Sequence, residues 1–223
     1  MTSTVIATQR KPLTAMFFIS WFVLFIGLSM MSSTAKAKML WSEYDWRPVK
    51  EQDGVSLATA KIAGSKFLAI KTEMIVNSDL QSLLTHTLDV DAFPLWVQYC
   101  VEAKIVQRDE SGASFVQHTV SRPPWPLKRR DVLLDVHVER QSEEQIRIIG
   151  HASDMEYPKL RGAIRMNEVK AEWRFTLMDD GQVKVENFIH ANPKGLIPPW
   201  MNNRLMVDSP LKTLVSLRER LTL

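Results

Sequence analysis

The 223-residue chain has a single cysteine, so no internal disulfide can form and its stability must come from packing. Cys100 follows Trp96-Val97-Gln98-Tyr99 and is expected to be a small buried apolar side chain. The five histidines, at 86, 118, 137, 151 and 190, lack H-x-x-x-H or H-E-x-x-H spacing, so no metal-site pattern is present. There is no G-x-S-x-G elbow, and the cysteine has no evident base partner in the sequence. A basic stripe is lacking as well. Met1 to Ala37 holds Arg10, Lys11 and Lys36 and no acid, so it accounts for the whole formal charge of +3. The 25 basic residues beyond it are matched by 25 acidic ones, which removes the electrostatic argument for a nucleic-acid partner. Internal repeats and low-complexity segments are absent.

What is present divides the chain in two. Polar residues ending in Arg10-Lys11-Pro12 precede a nearly continuous apolar run from Leu13 to Met31, followed by Ser32-Ser33-Thr34-Ala35-Lys36-Ala37. Small residues at Ala35 and Ala37 predict a signal peptide over 1–37, cleaved after Ala37, and an exported, periplasmic or secreted domain over 38–223. The alternative is an uncleaved membrane anchor, since the run approaches the roughly 20 residues that cross a bilayer. In either case the basic flank stays inside.

The exported part reads as α+β. Met39 to Val49 is expected as a short helix carrying Trp41, Tyr44 and Trp46 and ended by Pro48. Val55 to Ile62 and Phe67 to Val76 alternate as two hairpin strands. Asn77-Ser78-Asp79 caps a helix whose apolar residues are Leu80, Leu83, Leu84 and Leu88, and a second short helix is expected over Asp91 to Tyr99. A meander follows, with strands over Val101 to Gln107, Ser114 to Val120, Val132 to Arg140, Gln145 to Ser153, Ile164 to Met178 and Gln182 to Ala191. Asp179-Asp180-Gly181 is the strongest turn signal in it. Pro123-Pro124-Trp125-Pro126 cannot sit inside a sheet and forms a rigid corner.

Alternation assigns the faces. Val132, Leu134, Val136 and Val138 share one face, opposite Asp131, Asp135, His137 and Glu139, so His137 is expected at the surface. Val169, Ala171, Trp173, Phe175 and Leu177 form a second apolar face, opposite Lys170, Glu172, Arg174 and Thr176. Such a sheet must cover its apolar face. The last segment supplies a cover: Pro198-Pro199 opens a helix with an apolar stripe at Leu211, Leu214, Val215 and Leu221, and Asp208-Ser209-Pro210 is a possible kink.

Three stretches make the chain resemble the START (steroidogenic acute regulatory-related lipid transfer) family, of the phosphatidylcholine-transfer type. Pro124-Trp125-Pro126-Leu127-Lys128-Arg129-Arg130-Asp131 is similar to its Pro-x-Pro-x-x-x-Arg-Asp corner. Arg161-Gly162-Ala163-Ile164-Arg165-Met166 is similar to its Gly-x-Ile-Arg-Val strand entry. Asn192-Pro193-Lys194-Gly195-Leu196-Ile197-Pro198-Pro199-Trp200 resembles its lead into the last helix. The resemblance implies a helix-grip fold, in which a curved antiparallel sheet wraps a long C-terminal helix around a hydrophobic tunnel.

The same resemblance implies a non-enzymatic, monomeric carrier of one phospholipid or other hydrophobic molecule. It would need no cofactor or metal and would touch a membrane surface transiently. Cyclases and hydrolases on the same broad fold are the rival reading, with His151 near the tunnel mouth as the best acid/base candidate, and a lipid-sensing interaction module is a third. The implied tunnel residues are Phe115, Gln117, Thr119, Leu134, Val136, Ile148, Trp173, Phe175, Trp200, Met201, Leu205 and Leu211. In transfer members, the loop matching Asp154 to Gly162 and the segment from Ile197 onward are thought to open together. The buried charge pair of sterol-type members is replaced by Gln117 and Val136. Phe93 stands where phosphatidylcholine-type members carry an arginine. Arg130 and Asp131 read as structural charges fixing the corner.

Overall fold

The computed structural model describes residues 41–197 and 199–222; the side chains at 199–204 and 206 lie outside the described set. The expected signal peptide therefore falls outside the described residues. Ten strands form the sheet: β1 (Arg47–Gln52), β2 (Val55–Lys61), β3 (Leu68–Val76), β4 (Cys100–Arg108), β5 (Ser114–Ser121), β6 (Arg129–Arg140), β7 (Gln145–Ala152), β8 (Ala163–Met166), β9 (Val169–Leu177) and β10 (Val183–Ala191). Three helices complete the domain: α1 (Leu80–Leu88), α2 (Phe93–Trp96) and α3 (Pro199–Arg220). The spatial order is β1-β2-β3-β10-β9-β7-β6-β5-β4, all antiparallel, with β8 joined to β6 in parallel.

Local chemistry accounts for most boundaries. Asp79 caps α1 by accepting from the Ser82 N–H at 2.9 Å. Gly181 takes φ 80° in the turn between β9 and β10, a conformation that a side chain disfavours. α3 begins at Pro199, where a missing N–H is harmless, and continues through Pro210. Its inward residues Leu211, Leu214 and Leu217 join Val55, Met74, Val185 and Phe175 in one core, packing the helix on β2 and β3.

Two expectations fail. The helix expected over Met39 to Val49 is a 3-10 turn, Trp41–Glu43, followed by strand β1. Pairing with β2 decides this: β1 is an edge strand, where Pro48 costs no ladder bond. Trp41 instead stacks on Phe188 at 5.4 Å and is buried against the sheet. The long strand expected from Ile164 to Met178 is broken at Asn167-Glu168. β7 ends opposite Leu134, so the first residues of β6 have a free edge, and β8 pairs there before the chain crosses to form β9.

Candidate functional site

Register places the expected residues on one surface. Phe115, Gln117 and Thr119 of β5 pair with Val136, Leu134 and Val132 of β6, as strand parity predicts. The same face continues through Ile148 and Gly150 of β7, Ala171, Trp173 and Phe175 of β9, Val185, Asn187 and Ile189 of β10, and Thr72 and Met74 of β3. Phe115, Val136, Ile148, Phe175 and Leu211 are buried in the core that α3 closes, and Leu205 is half-buried. Trp200 and Met201 lie outside the described side chains.

Among the described residues, the middle of this inner face is only partly covered. Leu134, Ala171, Trp173 and Ile189 keep accessible surface although they sit on central strands, while Phe175, two residues beyond Trp173, keeps none. Gly150 widens the space: a Cβ there would lie 3.8 Å from Leu134 Cδ1 and 3.9 Å from Val136 Cγ2, in ordinary contact. α2 contributes Trp96, whose ring lies 6.1 Å from that of Trp173. Phe93 packs edge-on against Trp96 at 5.3 Å.

Polarity on this face is weak and uncharged. Along β6, charges of inner parity occur only at its ends, Arg130 and Arg140. Gln117 Nε2 donates to Thr119 Oγ1 at 3.3 Å, and Asn187 Nδ2 donates to the Glu172 carbonyl at 3.4 Å. The Thr72 hydroxyl and the Trp96 indole N–H are buried without a hydrogen-bond partner. Each such group costs about 1–3 kcal/mol.

The outer face is not uniformly solvated. Glu172, which lies opposite the apolar face as its parity predicts, is 2% exposed. Arg147 Nη2 lies 2.6 Å from one of its oxygens, and Arg174 Nη2 lies 2.8 Å from the other. The row extends from Glu139 through Arg147, Glu172, Arg174, Glu186 and Lys184 to Glu73 and Lys71, alternating in sign across five strands. At the buried centre of the row, Arg147 and Glu172, neighbouring opposite charges take the place of water, while the ends of the row stay partly exposed. Asp131 is likewise buried, 1% exposed, between Arg165 and His118. Burial alone would push its carboxyl up, but the Arg165 and His118 hydrogen bonds and charges outweigh that and hold it below the usual carboxylate range.

His118 had no distinguishing signal in the sequence; its partner lies 13 residues away, beyond the proline corner. His151 does not face the interior. It shares the outer face with Asp135, whose Oδ2 lies 3.6 Å away, because its parity is that of Lys170 and not Ala171. His137 is exposed as expected and hydrogen-bonded to Ser114. Cys100 is buried, which pushes its thiol up to about 11. Among the described residues, no group of three His, Cys, Asp or Glu side chains is placed to hold a metal.

Arg130 locks the corner. Its buried guanidinium donates to the carbonyls of Lys128 at 2.6 Å, Pro193 at 3.4 Å and Lys194 at 3.4 Å. It thus ties the loop before β6 to the loop before α3. This is the structural role that the sequence suggests for it.

A curved antiparallel sheet closed by a C-terminal helix over an apolar inner face defines the helix-grip class of fold. The family model for the START domain matches residues 29–223, and the chain belongs to that family. It is 29% identical over 174 residues to an uncharacterized protein of Pseudomonas aeruginosa, covering 78% of this chain and 85% of that protein. It is 25% identical over 167 residues to the phosphatidylcholine transfer protein of Mus musculus, covering 71% and 75%. The fold matches a STAR-related lipid transfer protein from Xanthomonas axonopodis with a TM-score of 0.72 at 23% identity, over 80% of this chain and 99% of that one. It also matches human StAR-related lipid transfer protein 5 with a TM-score of 0.70 at 16% identity, over 79% and 86%. Family and relatives together support lipid binding or transfer in general.

Proposed function

We propose that the domain encloses a single hydrophobic lipid between its inner face and α3 and carries it between membranes without chemically changing it. One observation carries this reading: the inner face is apolar and uncharged through its middle, yet Leu134, Ala171, Trp173 and Ile189 retain accessible surface there. Burying acyl chain against such a wall contributes about 0.8 kcal/mol per CH₂, so few polar contacts are needed for tight binding.

The enclosed part of the ligand is uncharged. Gln117, Thr119, Asn187 and the Trp173 ring offer only neutral partners, and Phe93 supplies no cation for a phosphate. Absence of catalysis is supported by the strand histidines. His118, His137, His151 and His190 all have outer-face parity, and a thiol raised to about 11 is a poor nucleophile at neutral pH. We further propose that residues 1–37 direct export and are removed, which N-terminal sequencing of the mature protein tests. The carrier reading is tested by fluorescent-lipid transfer between donor and acceptor vesicles. Catalytic amounts of protein should accelerate transfer severalfold, and a rate equal to that of vesicles alone would refute it.

A further inference from the structure

One row of paired residues crosses the inner face: Leu57 of β2, Thr72 of β3, Asn187 of β10, Trp173 of β9 and Ile148 of β7. Its two polar members are neighbours, because Asn187 is the register partner of both Thr72 and Trp173. Trp96 of α2 joins the row at Trp173, with ring centroids 6.1 Å apart. Among the described residues, neither the Thr72 hydroxyl nor the Trp96 indole N–H has a hydrogen-bond partner. Water does not relieve either, since Thr72 is 0% exposed and Trp96 3%. Asn187 makes a single long bond, from Nδ2 to the Glu172 carbonyl at 3.4 Å.

Packing does not account for these groups. Valine has the shape of threonine and suits a strand as well. Phenylalanine would pack on Trp173 without bringing a buried N–H. Buried polar groups are nearly always paired, so two orphans beside one row point to a partner that the fold itself does not supply.

The donors define that partner. An indole N–H can only donate and needs an acceptor oxygen, whereas a hydroxyl and a carboxamide each donate and accept. Together they fit a carbonyl beside a hydroxyl. Charge does not fit. The inward residues of β3, β9 and β10, taken in steps of two over 68–76, 169–177 and 183–191, include no charged side chain. A phosphate held there would lose its water without gaining a counter-charge. Since α3 packs on β2 and β3, a group bound at Thr72 is enclosed and cannot remain at an exposed mouth.

We propose that Thr72, Asn187 and Trp96 form the polar seat of the bound lipid, and that this lipid is an uncharged one of the diacylglycerol kind, its carbonyl and hydroxyl enclosed at the seat. The assignment rests on the lipid-carrying reading and names the class of its cargo. Trp96 Nε1 donates to the lipid carbonyl, and Thr72 Oγ1 exchanges a hydrogen bond with the lipid hydroxyl.

The test incubates the full chain with vesicles holding equal amounts of 1,2-dioleoylglycerol and dioleoylphosphatidylcholine, then counts both lipids on the re-isolated protein by mass spectrometry. Dioleoylglycerol should be taken up at least about ten-fold in preference. Thr72→Val and Trp96→Phe should each lower that preference about five-fold, the worth of one hydrogen bond. Thr72→Val should do so with a Tm equal to or above that of the wild type, because it deletes an unpaired buried hydroxyl. A threonine with a merely structural role would lower the Tm on replacement and leave the preference alone. Equal or greater uptake of dioleoylphosphatidylcholine, or a preference that survives both substitutions in folded protein, would overturn the assigned cargo and leave the carrier reading standing. A protein that takes up neither lipid would end both.

Discussion

Arg165 Nη2 lies 2.6 Å from Asp131 Oδ2, and this pair fastens the segment between β7 and β8 to the outside of the sheet. Arg165 also donates to the carbonyls of Tyr157 at 3.5 Å and Pro158 at 3.0 Å, so one guanidinium spans strand and strap. Asp131→Asn removes the charge and leaves Arg165 and His118 facing a neutral amide. Breaking a buried pair costs about 3–5 kcal/mol, and partial exposure of Arg165 places this one at the lower end. Urea unfolding should show a loss of about 3 kcal/mol, with hydrogen exchange accelerated over residues 153–162.

The same pair sets a pH dependence. Because the folded pKa of Asp131 lies below its unfolded value, its contribution is fully present above the unfolded pKa of about 3.9. That contribution disappears as pH falls through the folded value. The Tm difference between wild type and Asp131→Asn should therefore be constant near neutrality and shrink below about pH 4. A difference unchanged down to pH ~2 would assign the effect to something other than this carboxylate.

The alternation that exposed the inner face also explains what could not be read from the sequence. Period-2 patterning distinguishes the two faces of a strand, so the shared face of Phe115, Gln117 and Thr119 with Val132, Leu134 and Val136 was legible in advance, although the register was not. It does not distinguish a solvated polar face from one sealed by charges on neighbouring strands. Glu172 is buried by Arg147, 25 positions away, and Asp131 by Arg165, 34 positions away. Only the strand order β7-β9-β10 and the detour of β8 onto β6 bring those partners together. The Trp41–Phe188 stack is likewise a long-range contact, and it outweighed a plausible local helix. The corner motif marked where strands turn, whereas the tie that Arg130 makes to the loop before α3 depends on tertiary structure.

Glu172 sits between two arginines at the centre of the outer row. Glu172→Gln should cost about 3 kcal/mol, since it leaves buried Arg147 with only the longer contact to Glu139. Arg147→Met combined with Glu172→Leu should recover most of that loss, because packed apolar groups replace a buried pair at little cost. Chemical denaturation of the single and double variants measures both numbers. A double variant as unstable as Glu172→Gln would show that the row specifies more than local charge balance.

Leu134 and Gly150 test the inner face without attacking the fully buried core. Leu134→Arg introduces a charge where only neutral groups face the space, and should reduce lipid uptake at least about tenfold. Gly150→Leu fills the space instead, starting from a Cβ that fits without clash. It should retain or raise Tm while blocking uptake, a combination that global destabilisation does not produce. Normal uptake by a folded Gly150→Leu protein would move the ligand elsewhere.

The most direct test of the account is native mass spectrometry of the protein purified without detergent, followed by extraction and identification of whatever it holds. One lipid per chain is expected, lost in Leu134→Arg and in Gly150→Leu. A protein that carries no lipid, and takes none up from vesicles while folded, would contradict it.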